Sequence, residues 1–366
     1  MSEVAPYSDQ WNEEGEFPET VFRKFFANGF GAAFLPEEYG GAGDLEGYIE
    51  IGQEMGRFDA GFGLSVMASA VLFANNVFMN GSADQKKKYL PAITDGSKIG
   101  CWALTEPKGG SDALAVRTSC ERVGDHYILN GSKTFITNAP VADYFMIIAR
   151  LKGFEEKGIE GGCAFVLEKD THGLSVGKPF KKMGHKTSPT GEVFLDQVRV
   201  PVSQLIGAEG KAFFDMKRSL DTERAVFGAL GMGLVDECLN VMVRYAATRK
   251  QFGMALLEMQ FIQEKIAKIG AEYEVINLYL SDVVRKITEG KRVTKEAAIL
   301  KLLGGSLAVR AADEAIQVLG GYGYMAEYKV ERYYRDARLY EIGGGTTEIQ
   351  KMIVAKEIAR ERLRAV

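Results

Sequence analysis

The stretch Tyr127-Ile-Leu-Asn-Gly-Ser-Lys-Thr-Phe-Ile-Thr137 decides the fold class, because it predicts strands after the periodicity of the sequence changes near Ile99. Its length and its β-branched and aromatic residues are typical of β-strands. The Asn130-Gly131 pair at its centre predicts a hairpin of two short strands. We expect further strands at Tyr144–Arg150, Cys163–Leu167 and Glu192–Val200. The middle third of the chain is therefore predicted to be a β domain of about six to eight strands.

Helical patterns lie before this β region. Apolar side chains recur on one side of the segment Pro18–Asn28, as in an amphipathic helix. The long apolar stretch Tyr48–Asn76 is rich in small residues, and Gly61-Phe-Gly63 interrupts it. Small side chains favour close helix packing, but they also leave room for a ligand. The sequence leaves both interpretations open.

Long helices are also predicted after the β region. Apolar residues recur at three- and four-residue steps in three segments, Val235–Arg249, Met259–Glu289 and Thr294–Leu319. Short connections favour antiparallel neighbours, as in a four-helix bundle. We therefore predict an α+β protein with three domains: an N-terminal helical domain at residues 1–98, a middle β domain at 99–210 and a C-terminal helical bundle at 211–366.

Composition argues against several function classes. The 366 residues include 45 basic and 49 acidic side chains, so a nucleic-acid-binding surface is not expected. The four cysteines lie far apart without a CxxC pair, which favours reduced thiols and a cytoplasmic or organelle-matrix setting. Three histidines, at 126, 172 and 185, are too scattered for a zinc site, and we expect each on the surface or in a loop. We also expect no signal peptide and no segment of membrane-spanning length.

Three segments combine polar side chains with glycine and are candidates for ligand binding: Trp102–Asp112, Arg249–Gly253 and Tyr340–Gln350. The first is suited to the polar edge of a ring or to a phosphate, although a turn-rich β connection would have the same composition. The cation of the second could complement a helix C-terminus or bind a phosphate. The glycine clusters lie outside any βαβ unit, which argues against a nicotinamide-binding domain. The residues alone indicate an anionic, ring-bearing ligand.

In order and spacing, these segments resemble the motifs of the acyl-CoA dehydrogenase family over essentially the whole chain. Residues 105–112 read TEPKGGSD, similar to the family's TEPxAGSD flavin loop, and residues 130–139 read NGSKTFITNA, similar to its NGxKxWITNA segment. The motifs RKQFG at 249–253, QVLGGYGY at 317–324 and GTTEIQ at 345–350 follow in register. Residues 182–196 are similar to the segment that leads into the family's last β-strands. The resemblance implies FAD between the β domain and the helical bundle, and a homotetramer.

The resemblance also implies roles for individual residues. The flavin ring would be contacted by Trp102, Thr105 and Thr137, with Phe135 at its flank and Ser111 near the phosphates. A neighbouring subunit's cofactor would be reached by Arg249 and Phe252. The adenosine half would be contacted by Gln317, Gly321, Thr346 and Glu348. The substrate would be contacted by Ser188 (on the CoA arm), Asp221, Arg224 and Tyr340.

The catalytic base requires a separate inference. Many family members carry it as the Glu of an EGT triplet before the last helix, but here that triplet reads Gly344-Gly345-Thr346. The branch that includes isovaleryl-CoA and long-chain acyl-CoA dehydrogenases places the Glu on the first helix of the C-terminal bundle, directly before an Arg. This chain has Glu223 at that place, and the loop glycine leaves room for its carboxylate. The alternative is a helix glutamate that balances the helix dipole. Asp221 and Glu341 are the other, less suitably placed carboxylates.

The reaction implied is FAD-dependent dehydrogenation of an acyl-CoA to a trans-2-enoyl-CoA. Glu223 would abstract the α-proton, the backbone N–H of Gly344 would stabilise the enolate-like charge, and electrons would pass to an electron-transfer flavoprotein. The alternatives are a flavin oxidase, monooxygenase or desulfinase of the same fold, or a non-catalytic flavoprotein subunit. Small residues in Gly61–Leu72 and Tyr340–Gly344 are compatible with a branched, cyclic or longer acyl group, and we expect a short to medium chain, branched or unbranched. Compared with the family, an N-terminal helix of about 25 to 30 residues is expected to be missing.

Overall fold

A computed structural model describes residues 3–155 and 158–364. The N-terminal part consists of helices, as predicted. Their bounds are α1 Ser8–Glu14, α2 Glu19–Ala27, α3 Leu45–Phe58, α4 Ala60–Met67, α5 Asn75–Asn80 and α6 Ala83–Thr94. A π-helical segment, Ala68–Ala74, joins α4 to α5, so Ala60–Asn80 forms one continuous rod.

The break in the long apolar stretch lies at Asp59, not at Gly61-Phe-Gly63 as predicted. Asp59 has an extended backbone, and its carboxylate accepts a hydrogen bond from the Phe62 backbone N–H at 2.9 Å. This cap begins α4 and separates it from α3. The two glycines continue inside the helix because their small size allows close packing: a Cβ at Gly61 would lie 2.3 Å from Thr187 Oγ1.

Two helices are long and apolar enough to cross a membrane, contrary to the sequence-based expectation. They are the rod Ala60–Asn80 and the first helix of the C-terminal part, Ala212–Thr248. Most of the apolar window of each helix is buried inside the protein. Their apolar character therefore serves the core, which is the usual reason for such helices in a folded domain.

The middle part is an eight-stranded sheet, at the upper end of the predicted range. Its strands are β1 Gly100–Ala103, β2 Ser119–Val123, β3 His126–Thr137, β4 Tyr144–Leu151, β5 Gly162–Glu168, β6 Leu174–Val176, β7 Thr190–Pro201 and β8 Leu205–Ile206. The order is β6-β7-β3-β2-β4-β5-β8, and β1 pairs in parallel with β4. Strand β1 packs beside the π-helical segment, where the Ser69 hydroxyl accepts a hydrogen bond from the Gly100 N–H at 3.0 Å.

The predicted hairpin at Asn130-Gly131 was wrong. Strand β3 runs without interruption through this pair, and the hairpin turn lies between β2 and β3 instead. The pairing of β3 with β7 shifts register between Leu129 and Gly131, which indicates a β-bulge. Gly131 has a φ of 151°, and a Cβ there would lie 2.5 Å from Thr118 Oγ1. The glycine thus serves a bulge and a close contact rather than a turn.

The α-helices of the C-terminal part, up to residue 364, are α7 Ala212–Thr248, α8 Gln260–Thr288, α9 Thr294–Leu319, α10 Val330–Ala337 and α11 Thr347–Arg364. A two-stranded ribbon, β9 Lys250–Gln251 and β10 Met254–Ala255, joins α7 to α8. The apolar periodicity predicted for Met259–Glu289 lies on α8, where Ile269, Ile276, Leu280 and Val283 are buried.

Helix α7 is the central element, since it packs on both α9 and α3. Two glycines allow its backbone to approach that of α3 very closely. A Cβ at Gly233 would lie 1.8 Å from the carbonyl oxygen of Gln53, and one at Gly56 would lie 2.0 Å from that of Leu230. This contact fixes the position of α7, and with it the side chains that α7 carries into the interior.

Candidate active site

The carboxylate of Glu223 lies at the meeting point of α7 and the loop before α11. The residue is only 6% exposed. Its Oε1 is 3.6 Å from the position that a Cβ on Gly344 would occupy, and the ring of Phe227 is 3.5 Å from the same position. Among the residues that the structure describes, Oε2 of Glu223 has no hydrogen-bond partner. A buried oxygen without a partner is costly in a purely structural role, so a bound ligand is its natural partner.

The surroundings of Glu223 bring the pKa of its carboxyl group close to neutral pH. Burial raises the pKa of Glu223 to about 7, and the neighbouring cations of Arg224 and Lys301 partly oppose that rise. A group with such a pKa accepts and releases a proton readily at physiological pH.

The two other carboxylates considered as the base, those of Asp221 and Glu341, already have hydrogen-bond or ion-pair partners. Asp221 accepts hydrogen bonds from Arg224 at 2.8 Å and from the Thr294 hydroxyl at 2.7 Å. Glu341 forms an ion pair with Arg338 on the adjoining turn. These contacts give both side chains a structural function and distinguish them from Glu223.

The loop opposite Glu223 is held by two side chains that sequence analysis missed. Gln350 Nε2 donates to the carbonyl oxygens of Gly344 and Gly345, at 3.1 and 3.0 Å. Lys301 Nζ, from α9, donates to the Gly345 carbonyl at 2.5 Å. Gly344 and Gly345 have φ values of 62° and 85°, in the left-handed region that favours glycine. The signal available for Lys301 was a lysine on the apolar stripe of a helix.

The TEPKGGSD segment is organised by a buried ion pair. Glu106 accepts hydrogen bonds from the backbone N–H groups of Arg117 and Thr118, at 2.7 and 2.9 Å, and from Lys133 Nζ at 2.8 Å. Lys133 also donates to the carbonyl oxygen of Leu104 at 3.0 Å. The pair ties the segment to strand β3, so the two motifs expected at a flavin ring are held together.

Side chains suited to a flavin ring lie on the strands next to this segment. Trp102 is half-buried on β1, and its Nε1 is a buried donor without a partner in the described part of the chain. Phe135 is 68% exposed, with a φ of 58°, and its ring lies 5.6 Å from that of Phe180. Thr105 and Thr137 are partly exposed, and Ser111 is exposed in the glycine-rich loop. A free indole donor and an exposed aromatic face held in a rare backbone conformation fit a planar, hydrogen-bonding cofactor.

Family models for the N-terminal, middle and C-terminal domains of acyl-CoA dehydrogenases match residues 1–97, 101–198 and 213–359. The chain belongs to the acyl-CoA dehydrogenase family. It is therefore an oxidoreductase of a flavoprotein family whose members dehydrogenate acyl-CoA substrates.

Three relatives indicate the range of this family. A 3-(aryl)acrylate reductase of Clostridium sporogenes is 35% identical over 98% of this chain and 95% of its own. A mitochondrial isovaleryl-CoA dehydrogenase of Solanum tuberosum is 35% identical over 98% of this chain and 87% of its own. The solved structure of butyryl-CoA dehydrogenase from Megasphaera elsdenii has a TM-score of 0.94 and 35% identity, covering 98% of this chain and 94% of that one.

Other residues assigned from the acyl-CoA dehydrogenase motifs lie away from Glu223. Arg249 ends α7, 26 residues after Glu223, which places it about 39 Å along the helix. Phe252 follows in the β9–β10 turn and is 94% exposed, with a φ of 52°. Their role at a neighbouring subunit's cofactor stays a prediction. The residues expected at the adenosine half are exposed or half-exposed on α9, α11 and the adjoining turns: Gln317, Gly321, Thr346 and Glu348.

Two predicted substrate contacts are buried. Ser188 accepts a hydrogen bond from the Ser65 hydroxyl at 3.0 Å, and its carbonyl oxygen accepts one from Lys182 Nζ. Tyr340 is buried with its ring 4.8 Å from that of Phe227. Both residues line the interior near the rod and α7, and their contact with CoA or the acyl group stays a prediction.

His185 lies in the loop before β7, within the expectation of a surface or loop position for each histidine, but it is not at the surface. This side chain is buried, and its Nε2 lies 2.9 Å from the carbonyl oxygen of Asp336. Its backbone N–H donates to the Asp336 carboxylate at 2.5 Å. The loop before β7 is thereby tied to α10, a long-range contact that local sequence could not reveal. The four cysteines are free and buried, in agreement with the sequence.

Proposed function

We propose that the protein catalyses the FAD-dependent α,β-dehydrogenation of an acyl-CoA thioester to a trans-2-enoyl-CoA, with Glu223 as the base. The observation that carries the proposal is the buried Glu223 carboxylate, which reaches from α7 to the place where other family members present a loop glutamate. Its Oε1 lies 3.6 Å from the Cβ position of Gly344, the residue that replaces that glutamate.

The protonation chemistry suits this role. The α-C–H of a thioester is a weak acid, so its removal needs a base whose pKa is close to the working pH and whose site excludes water. Burial gives Glu223 a pKa of about 7. Its unpartnered Oε2 accepts the α-proton, while Arg224 remains paired with Asp221 and does not neutralise the base by direct contact.

Charge that develops on the thioester oxygen needs a fixed donor. The backbone N–H of Gly344 is the candidate, since hydrogen bonds from Gln350 and Lys301 hold the loop at positions 344 and 345. FAD, when bound, accepts the hydride that leaves the β-carbon. Glu223 keeps the α-proton until the enoyl product leaves.

We further propose that the cofactor lies against β1, β3 and the TEPKGGSD loop. Trp102, Thr105 and Thr137 would contact the ring, Phe135 would flank it and Ser111 would lie near the phosphates. In a homotetramer, the neighbouring subunit would add Arg249 and Phe252, and the adenosine half would meet Gln317, Gly321, Thr346 and Glu348. We propose an electron-transfer flavoprotein as electron acceptor, and a cytoplasmic or organelle-matrix location.

The acyl group that fits is short to medium in length. Phe227 lies one helical turn after Glu223, and its ring meets both the Gly344 backbone and Tyr340. These two aromatic rings limit the space beside the base. The names of the isovaleryl-CoA and 3-(aryl)acrylate relatives make branched and aryl-substituted acyl groups the first to test.

The reverse reaction, reduction of an enoyl thioester, is a second candidate. The observation that favours it is the similarity to a protein named as a 3-(aryl)acrylate reductase. The same base would then protonate the α-carbon. Reoxidation of the chemically reduced protein by cinnamoyl-CoA, faster than its reduction by 3-phenylpropionyl-CoA, would establish this direction.

The test is an anaerobic titration of the purified protein with butyryl-, isovaleryl-, 3-phenylpropionyl- and octanoyl-CoA, followed by the visible flavin absorbance. We expect rapid bleaching by at least one substrate, slowed by about 100-fold or more in Glu223→Gln, since removing an essential base of this kind costs about 10²–10⁴-fold. Glu237→Gln on the same helix is the matched control and should bleach normally. Normal bleaching by Glu223→Gln would refute the assignment, and oxygen consumption at the rate of turnover would indicate an oxidase.

A further inference from the structure

Lys301 is a buried cation that the proposed reaction has so far used only as a loop anchor. It lies on α9 and is 2% exposed. Its ammonium donates to a neutral acceptor, the carbonyl oxygen of Gly345, at 2.5 Å. A buried ammonium is much more costly than a buried amide, and Gln350 already holds the same carbonyl at 3.0 Å. Holding the loop in position therefore does not by itself explain why residue 301 is charged.

The charged groups around Lys301 show which one its charge serves. From α7, Glu223 and Arg224 act on it, and from α11 the exposed Glu348 does. Arg224 is paired with Asp221 at 2.8 Å, so its charge is largely offset. Glu223 is the buried carboxylate without such a partner, and the cations that act on it are Arg224 and Lys301. Of these two cations, Lys301 contacts a neutral group, the Gly345 carbonyl, so its charge is not offset by a direct ion pair.

We propose that Lys301 is a positioning residue of the active site, which clamps the Gly344–Gly345 turn beside the base and whose positive charge keeps Glu223 ionised when the acyl-CoA excludes water. This inference rests on the proposed role of Glu223 as the base. Burial lowers the pKa of Lys301 to about 8, so the ammonium is still mostly protonated at neutral pH. Bound substrate removes the remaining water from the carboxylate, and a fixed cation then opposes the further rise of the carboxylate pKa.

Removing this charge should raise the pKa of the base. An opposite charge at close range lowers a carboxyl pKa by about one unit or more, so Lys301→Met should move the acid limb of the pH profile upward by about one unit. At pH 7 the rate of flavin bleaching should fall about 5- to 10-fold and recover towards the wild-type value at pH 9. A merely structural role would instead lower the rate equally at every pH.

The experiment compares four variants by stopped-flow bleaching between pH 5.5 and 9.5, with whichever of isovaleryl- and 3-phenylpropionyl-CoA reduces the wild type faster. Lys301→Met removes the charge and the donor, Lys301→Gln removes only the charge, and Lys301→Arg keeps both. Lys295→Met, on the same helix but at the surface with Glu361 as partner at 2.7 Å, is the matched control. We expect the acid limb of the pH profile to move to higher pH in Lys301→Met and Lys301→Gln. It should stay at the wild-type pH in Lys301→Arg and in the control.

A second readout does not depend on turnover. The pH at which the thermal midpoint of the holoprotein responds to ionisation of Glu223 should also rise in Lys301→Gln. If Lys301→Met does not retain FAD, Lys301→Gln carries the comparison, because it keeps a donor to Gly345. If the acid limb of the pH profile does not move in Lys301→Gln while Glu223→Gln is inactive, the proposed role of Lys301 is wrong but the proposed function stands. Full activity of Glu223→Gln overturns the proposed function instead.

Discussion

The buried carboxylate of Glu223 should make the protein less stable as pH rises, and Glu223→Gln should remove this effect. The pKa of the carboxyl is about 7 in the folded protein against an ordinary value of 4.5. A raised pKa means that the folded state binds more protons than the unfolded state between these values, so stability falls as pH rises from about 4.5 to 7. The full penalty above pH 7 is about 3 kcal/mol, at 1.36 kcal/mol per pKa unit.

The measurable quantity is the difference between two pH values. At pH 5 the penalty is about 1 kcal/mol, because the unfolded carboxyl is already mostly ionised, so the change to pH 8 is about 2.5 kcal/mol. An entropy of unfolding of about 2.1 cal/mol/K per residue gives about 0.8 kcal/mol/K for this chain. Glu223→Gln should therefore raise the thermal midpoint at pH 8 by about 3 °C more than it does at pH 5.

The assay is calorimetry of the FAD-saturated protein and its Glu223→Gln variant at both pH values. Any cost of burying the amide is common to both conditions and cancels in the difference. Asp236→Asn on the same helix, whose partner Arg57 lies 3.0 Å away, controls for removal of a helix carboxylate in general. Equal shifts at pH 5 and pH 8 would refute the reasoning, since they would mean that Glu223 has an ordinary pKa in the folded protein.

Three other substitutions test the scaffold around the site. Gly233→Ala should lower the thermal midpoint by several degrees or prevent folding, because its Cβ would lie 1.8 Å from the Gln53 carbonyl, and a thermal scan measures this. Lys133→Met should cost about 3–5 kcal/mol, since it leaves Glu106 as an unpaired buried charge, and the purified protein should lose FAD, as its absorbance ratio at 450 and 280 nm would show. Gly344→Ala should cost only about 1–2 kcal/mol in stability, because its φ is 62° but its Cβ would make contacts no closer than 3.5 Å. Its bleaching rate should nevertheless fall about tenfold or more, since the methyl group would lie against the carboxylate of Glu223, the proposed base.

Sequence predicted the elements whose residues carry their own periodicity. Helices α8 and α9 and strands β4, β5 and β7 lie close to their expected bounds, because their residues follow helical or strand patterns. Helix α7 instead begins at Ala212, 23 residues before the predicted start at Val235. The error at Asn130-Gly131 has a different origin. The pair has hairpin chemistry, yet Gly131 lies in a β-bulge against Thr118, the residue before β2, and local sequence does not encode this contact.

The residues of the candidate site also differ in whether the sequence could predict them. Glu223 was predictable because a motif on α7 and the altered triplet in the loop point to one arrangement. Lys301, Gln350 and the Glu106–Lys133 pair were not, because each acts through a contact between elements far apart in the chain. A lysine on the apolar stripe of α9 was a usable signal for a buried charge, although it could not indicate which group the charge serves.

The geometry also explains why a glycine in the loop does not mean an inactive enzyme. Glu223 and Gly344 face the same space from opposite sides, since the carboxylate of the first lies 3.6 Å from the Cβ position of the second. A carboxylate can reach that space from either backbone, but two carboxylates there would repel each other in a site of low dielectric constant. A base on the helix therefore favours a residue without a side chain in the loop, and the left-handed φ of Gly344 adds a backbone reason for the same choice. Lys301, whose charge is proposed to act on the base, lies on α9 and not on α7 or in the loop before α11. Its charge can therefore act on a base carried by either of these two elements.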